Sequence, residues 1–564
     1  MAERKSALRA VLEGLFADGA DLPARAVDAS LAPIALPCRA LLRVVGELEA
    51  PSDPARVRRI GLRLVREGTR RQTVWLGLAL LDGTARAEDV ETIRTVGLLA
   101  QCAAPALAAL ASLGAADDLV WLAERLERRQ RCEAVRALTR VGGATARAWA
   151  RRYEPEERWS SAEDARKLAE LADLPDLLRG RPTAEALAHA GNLLCLMGVP
   201  DDYTSQLPAY APARTVLLTL SRHASMLTET LAHRAVLASL ALDVRSGPAF
   251  LLDWEPGERE RVVNALMAAA SSEPLPDPGD GDGDGAGARE ERWRAAWLRG
   301  LAEGAREGGS DAPRPLRPPR PLRIHVAVRD PVRTGQPETR VLVDGRPVIA
   351  ESFAAGPPRT PEEVLGRGLL RARDEPREVQ LAEAYCTEGC CGALYVTVRR
   401  EGDEVVWDAW RRPGASREDA ARPLPPTLRF DAEGYDAEIA RAETDRSWEW
   451  PARSFARRLA ALLRERPEVL ERWNCALDWI TTHHQERDRV RVSLCYPARP
   501  TSCEDHWLQF LWDVDEDGTP PEAQARAALR RLTENDPTGF ARLCGGNRAA
   551  AEALGFGERY AREG

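Results

Sequence analysis

The densest chemistry in the chain lies in AYCTEGCCGALY, where Cys386, Cys390 and Cys391 fall between a strand expected to end at Tyr385 and one expected to begin at Ala393. Thiolates gathered on a tight, glycine-containing turn can ligate zinc, which takes four sulfur or nitrogen ligands. No fourth ligand follows at a standard spacing, and Cys495, Cys503, His483, His484 and His506 are distant residues that the sequence does not pair with the turn. Reduced cysteines packed as small apolar side chains account for the same turn more simply; redox-linked disulfide formation is a third reading. A second cluster, SCEDHW, offers Cys503, Asp505 and His506, the residue types of a nucleophile, an acid and a base. Neighbours in sequence seldom converge on one substrate atom, and a following strand sends them to opposite faces, so a polar loop is expected there. His483-His484 reads as a hairpin tip.

A third pattern is acidic. Asp280, Asp282, Asp284, Gly285 and Glu291 fit D-x-D-x-D-G-x5-E literally. This is the calcium loop of an EF-hand, in which alternate carboxylates turn inward, glycine makes the bend and the last glutamate gives two oxygens. An EF-hand needs an entering helix where this chain has Pro274, Pro276 and Pro278, and an apolar residue where it has Gly287. A repetitive Asp-Gly linker is therefore the plainer reading. Zinc and calcium are the two cofactor candidates, and the expectation is that neither is needed.

The chain contains no phosphate-binding loop, no H-E-x-x-H and no dinucleotide fingerprint. These absences lean the reading away from an enzyme. Its 564 residues exceed one compact unit. Hydrophobic residues at 44% and charged residues at 29% are those of a soluble globular protein, and no apolar run is long enough to span a bilayer. Charges interrupt the N-terminal stretch at Glu3, Glu13, Asp18 and Asp21, so it reads as a first helix rather than a secretory signal. Eleven cysteines are too few for a disulfide scaffold, and a cytoplasmic protein with free thiols is expected. Lys5 and Lys167 are the only lysines among 79 basic residues. We read this bias as the codon pressure of a high-GC genome. Residues 1–300 carry 39 basic and 42 acidic side chains, net −3, of a whole-chain −8, which argues against nucleic acid as partner. Eight of the fifteen tryptophans lie between Trp407 and Trp512, and core packing is expected for most of them.

The elements that must hold these residues divide the chain in two. Residues 1–272 read as helix after helix, with Ile60, Leu62 and Leu64 within a turn or two and Ala, Leu and Val recurring at three- and four-residue spacing through 92–140, without β-type alternation. LASLGAADDLVWLAERL at 110–126 returns in outline as ALTRVGGATARAWARRY at 137–153, which puts Gly114 and Gly142, and Trp121 and Trp149, 28 residues apart; Gly83 precedes Gly114 by 31. This predicts helices ending on left-handed glycines and packing back in pairs. The LASLG and LTRVG turns resemble those of HEAT repeats, especially the short bacterial type of phycobilin-lyase-like proteins, over about residues 30–155. The resemblance implies an α-solenoid that recognises other macromolecules, and it names no ligand.

Residues 273–321 read as a low-complexity linker holding a short helix at 291–305, whose Trp293, Trp297 and Leu301 form a stripe expected to dock on a neighbour. From 322 the pattern is an α+β module, possessing hairpins at Asp344-Gly345 and Glu401-Gly402-Asp403 and divisible at the Pro-rich 413–426. It resembles stand-alone, uncharacterised bacterial proteins bearing a similar CTEGCCGALYVTVRR segment, which implies a separable module and no activity. The leading reading is thus a cytoplasmic scaffold or recognition protein whose helical half binds a protein partner. Its rivals are an enzyme in the α+β module with the repeats selecting substrate, and DNA recognition as in helical-repeat glycosylases.

Overall fold

A computed structural model describes residues 2–17, 22–34, 36–47, 53–156, 160–199, 203–272, 274, 286–307, 321–333, 337–384, 392–414, 417–483, 486–498 and 506–563. The chain forms two compact units. The first comprises residues 1–202 and 206–220, the second residues 203–205 and 221–564. The first is helical and the second combines helices with three antiparallel sheets.

Among the described residues of the first unit, thirteen α-helices run from residue 2 to 196: α1 (Ala2–Phe16), α2 (Ala24–Leu31), α3 (Cys38–Gly46), α4 (Pro54–Glu67), α5 (Arg71–Leu81), α6 (Val90–Gly97), α7 (Ala103–Ser112), α8 (Ala116–Ala123), α9 (Arg128–Val141), α10 (Gly143–Ala150), α11 (Ala162–Ala172), α12 (Leu174–Leu177) and α13 (Ala184–Leu196). Their ends are written locally. Asp53 caps α4 by accepting from Ala55 N at 3.0 Å and Arg56 N at 3.2 Å, and Pro54 supplies the first helical position. Ser161 and Asp164 form a reciprocal capping box on α11. Gly83, Gly114 and Gly142 all have positive φ, at 81°, 69° and 66°, as the repeat pattern requires.

The substantial contacts among α1–α13 join helices no more than three places apart in the chain. The odd helices from α3 to α13 touch in series, and α6, α8 and α10 form a second series. Ion pairs tie successive members together: Arg58 in α4 to the buried Asp89 ahead of α6 (2.6 Å), Arg94 in α6 to Asp118 in α8 (3.0 Å), and Arg136 in α9 to Asp164 in α11 (3.1 Å). At the α4–α5 crossing the two backbones come close together. A Cβ on Gly77 would stand 2.8 Å from the carbonyl oxygen of Gly61, so only glycine lets the two backbones approach this closely.

The second unit begins with helices Leu231–Ser246 and Glu258–Ala270, which the sequence pattern groups with the helical half but which here pack with the α+β residues. Helix Ala286–Glu307 contains the expected Trp293/Trp297 stripe and docks as expected. Trp297 Nε1 donates to Val328 O at 3.1 Å and Trp293 Nε1 to Asp488 at 3.2 Å. Strands β1 (Leu322–Val328), β2 (Pro337–Val343) and β3 (Arg346–Pro347) form one sheet, with the predicted Asp344-Gly345 turn at φ 53° and 75°. After β3 the chain turns helical at Val348–Ser352, where the sequence pattern continues the strand to Ile349.

The second sheet has the order β4–β5–β6–β7, from β4 (Arg377–Glu383), β5 (Ala393–Glu401), β6 (Glu404–Arg411) and β7 (Leu428–Asp431). Trp407 is fully buried in its core beside Phe430 and Tyr435. The third has the order β11–β10–β9–β8, from β8 (Ala476–His483), β9 (Glu486–Tyr496), β10 (Leu508–Asp515) and β11 (Arg542–Gly545). Val490, Val492, Leu494, Phe510 and Trp512 meet Phe455, Leu459 and Leu529 of helices Pro451–Glu465 and Pro521–Glu534 in its core.

Candidate functional site

The sequence-derived metal candidates fall largely where placement is not described. Cys386, Cys390 and Cys391 lie outside the described residues, as do Asp280, Asp282 and Asp284. Glu291 is described: it is exposed on helix Ala286–Glu307. Among the described residues no group of three or more His, Cys, Asp and Glu side chains is placed to hold a metal ion. Cys503 and Asp505 are outside the described residues, and His506 is exposed just before β10. His483 ends β8 opposite Glu486 of the antiparallel β9, and His484, the other residue of the expected hairpin tip, lies outside the described residues. Cys495 on β9 is partly buried, and burial, with the charge of Asp478 adding, raises its thiol to about 11, far from a reactive thiolate.

The helical unit displays an apolar surface instead. α6 ends at Gly97, whose missing side chain lets Leu122 and Ala106 close in, at 2.8 and 2.9 Å from where a Cβ would sit. The turn that follows leaves Leu98 44% and Leu99 62% exposed. Arg94 lies one turn before Leu98 on the same helix face. Its guanidinium stands 4.7 Å from the centre of the half-buried Trp121 ring, and that of Arg125 stands 4.2 Å away. Arg94 also pairs with Asp118, and Arg125 donates to Trp121 O at 2.9 Å, so both cations are held over the indole. Trp149, the repeat equivalent of Trp121, is buried and stacks on Tyr153 at 4.4 Å.

The second unit offers two further settings. A cleft of about 820 Å³ is lined by Ser221, Arg222, Ser225, Thr228, Glu229 and Arg234, among others. Arg234 is itself buried, donating to the carbonyl oxygens of Thr228 (2.6 Å), Ser272 and Pro274 (3.1 Å). These bonds fix the cleft wall rather than leaving donors for a ligand.

Deeper in the same unit lies a closed ionic cluster. Arg340, 1% exposed, donates to Glu338 (2.8 Å), Asp243 (3.0 Å) and Leu242 O (2.7 Å); Arg329 reaches Asp243 at 3.2 Å, and Tyr203 Oη donates to Glu338 at 2.5 Å. Burial pushes the Asp243 carboxyl upward despite both guanidiniums; for Glu338 burial is outweighed by Arg340 and then Arg329, which hold its carboxyl below the usual range. Two cations and two anions thus offset one another within the buried cluster. Ser246 Oγ, also bonded by Arg340 at 3.3 Å, is 3.2 Å from His325 Nδ1. Burial first, then Arg340, brings this imidazole down to about 3, so it is too weak a base to activate the serine near neutral pH.

None of Arg234, Arg329 or Arg340 is singled out by sequence reasoning, because an arginine-rich composition hides the few that are buried. Comparison with protein-family models, with curated proteins and with solved structures yields no match.

Proposed function

We propose that this is a recognition or scaffold protein whose helical unit, a HEAT-like solenoid, binds a protein partner, the α+β unit serving as an attached module. The observation that carries this reading is the exposed Leu98–Leu99 pair, which follows by one turn the Arg94 that with Arg125 braces the Trp121 ring. Two consecutive exposed leucines, one turn from an arginine that braces an aromatic, supply the residue types on which protein interfaces rely. Packing restricted to near neighbours supports it further, since such arrays expose extended surface in proportion to their length. A net charge of −3 over residues 1–300 favours protein over nucleic acid. The sparse cysteines fit a cytoplasmic setting, and among the described residues no helix is long and apolar enough to cross a membrane.

Cross-linked capture from the native cell tests the proposal. The full chain is expected to retain a stoichiometric protein that the Leu98→Asp/Leu99→Asp variant loses at least tenfold. Leu22→Asp, a change at another exposed leucine of the same unit, keeps it. A partner retained by the double variant, with its circular dichroism unchanged, moves recognition elsewhere on the molecule.

A further inference from the structure

The second unit buries two arginines that the ionic cluster above does not use. Arg487, the second residue of β9, is 5% exposed, and its Nε and Nη1 have no hydrogen-bond acceptor. Arg453, in the first turn of helix Pro451–Glu465, is 1% exposed, and its Nε and Nη2 are likewise without acceptors. The two guanidiniums stand 4.0 and 4.5 Å from the centre of the same Trp450 ring, and Arg487 is also 5.8 Å from that of Trp293. Trp450 Nε1 donates to Arg487 O at 2.9 Å, which fixes the ring against the strand.

The carboxylates nearby do not neutralise this pair. Glu362 meets Arg453 Nη1 through Oε1, while its Oε2 is buried without a partner. Even a two-pronged grip by Glu362 would satisfy Arg453 alone. Asp330 is committed to Arg294 at 2.7 Å and to Val332 N at 3.1 Å. Glu449 is taken by Arg457 (2.6 Å) and Ser454 (2.8 Å), and Asp488 by Trp293 (3.2 Å) and Arg289 (3.7 Å). Among the described residues Arg487 is therefore a buried cation with no carboxylate of its own. Burial first, then repulsion from Arg453, pulls its guanidinium down to about 9.

A guanidinium without a counter-ion or acceptors is among the costliest groups to bury. Indole faces soften that cost but accept no strong hydrogen bond. The first turn of a fifteen-residue helix adds positive potential to the same neighbourhood.

We propose that Arg487, supported by Arg453 and the N-terminus of helix Pro451–Glu465, forms a binding site for an oxyanion, a phosphate or carboxylate group. Such a group supplies both the charge and the acceptors that the protein withholds, and the guanidinium fork suits either shape. The exposed flank of Asp488, one residue beyond Arg487, sets the site just beneath the surface.

The test follows thermal unfolding of the full chain in inorganic phosphate, in acetate and in chloride, all at one ionic strength. Phosphate or acetate should raise the midpoint saturably above chloride, and whichever does so names the preferred anion. Arg487→Met should abolish the increment or weaken the titration midpoint at least tenfold. Arg489→Met, on the same strand where Arg489 pairs with Asp515 at 2.7 Å, should preserve it. If Arg487→Met does not fold, Arg487→Lys, which keeps the charge and loses the fork, should show the tenfold weakening. Equal midpoints in all three salts, or an increment that survives both changes at Arg487, would overturn the proposal.

Discussion

Single side chains in this protein set local pH behaviour as well as packing. His189 in α13 is 3% exposed, and burial, only partly opposed by Glu154, lowers its imidazole below the ordinary value. Its unfolded counterpart titrates near about 6.5. Below that pH the unfolded chain takes up a proton that the folded chain refuses, so stability is present above about 6.5 and lost as pH falls toward the folded value. The slope is up to about 1.4 kcal/mol per pH unit. His189→Leu should flatten this acid-side loss in denaturant melts between pH 7 and 5; an unchanged difference between the two pH values would show that His189 is not its source. Burial of individual arginines is the feature least legible in the sequence. Arg453 sits beside the apolar stripe Ala452, Phe455, Ala456 and Leu459, and Arg340 lies within the strand run TRVLV. Both look like surface arginines in a chain with 79 basic residues. Only the tertiary neighbours, Glu362 for one and Asp243 with Glu338 for the other, reveal them as buried.

Elements were far more legible, because their signals are local. Glycines ending helices, Asp53 before Pro54, and Asp344-Gly345 each act through a few consecutive residues, and the helices and hairpins they delimit are present. The strand expected to end at Tyr385 is β4, which ends at Glu383, whereas the four-residue β7 and β11 have no pattern of their own and take their place from pairing with distant partners. The 28-residue repeat likewise predicted equivalent tryptophans but not their unlike settings, Trp149 buried and Trp121 under two arginines. Trp149→Ala should therefore cost about 3–5 kcal/mol in urea melts. A loss below about 1 kcal/mol would mean that the stack on Tyr153 contributes little. At the α4–α5 crossing, Gly77→Ala places a methyl against the Gly61 carbonyl and should cost about 1–3 kcal/mol, whereas Gly14→Ala, where nothing lies within 4 Å, should cost nothing. Equal stability of the two variants would show that the helices part at no expense.

At the level of the whole molecule, two compact units predict separable unfolding. Asp89→Asn, which removes the buried partner of Arg58, should lower one calorimetric transition, and Asp243→Asn, which leaves Arg340 and Arg329 short of an anion, should lower the other by about 3–5 kcal/mol. A single transition shifted by both changes would show that the units melt as one. The division near residue 220 was hidden from sequence because helices Leu231–Ser246 and Glu258–Ala270 have the same apolar periodicity as those before them. Periodicity reports that a helix is buried on one side, not what buries it. The buried guanidinium of Arg340 has a last consequence, for how this sequence can drift. It donates through Nε, Nη1 and Nη2 to groups in three directions, a geometry that a lysine ammonium on its single stem does not reproduce. An exposed arginine such as Arg39, 82% exposed, can pass to lysine at little cost, while Arg340 is held to arginine by its three bonds.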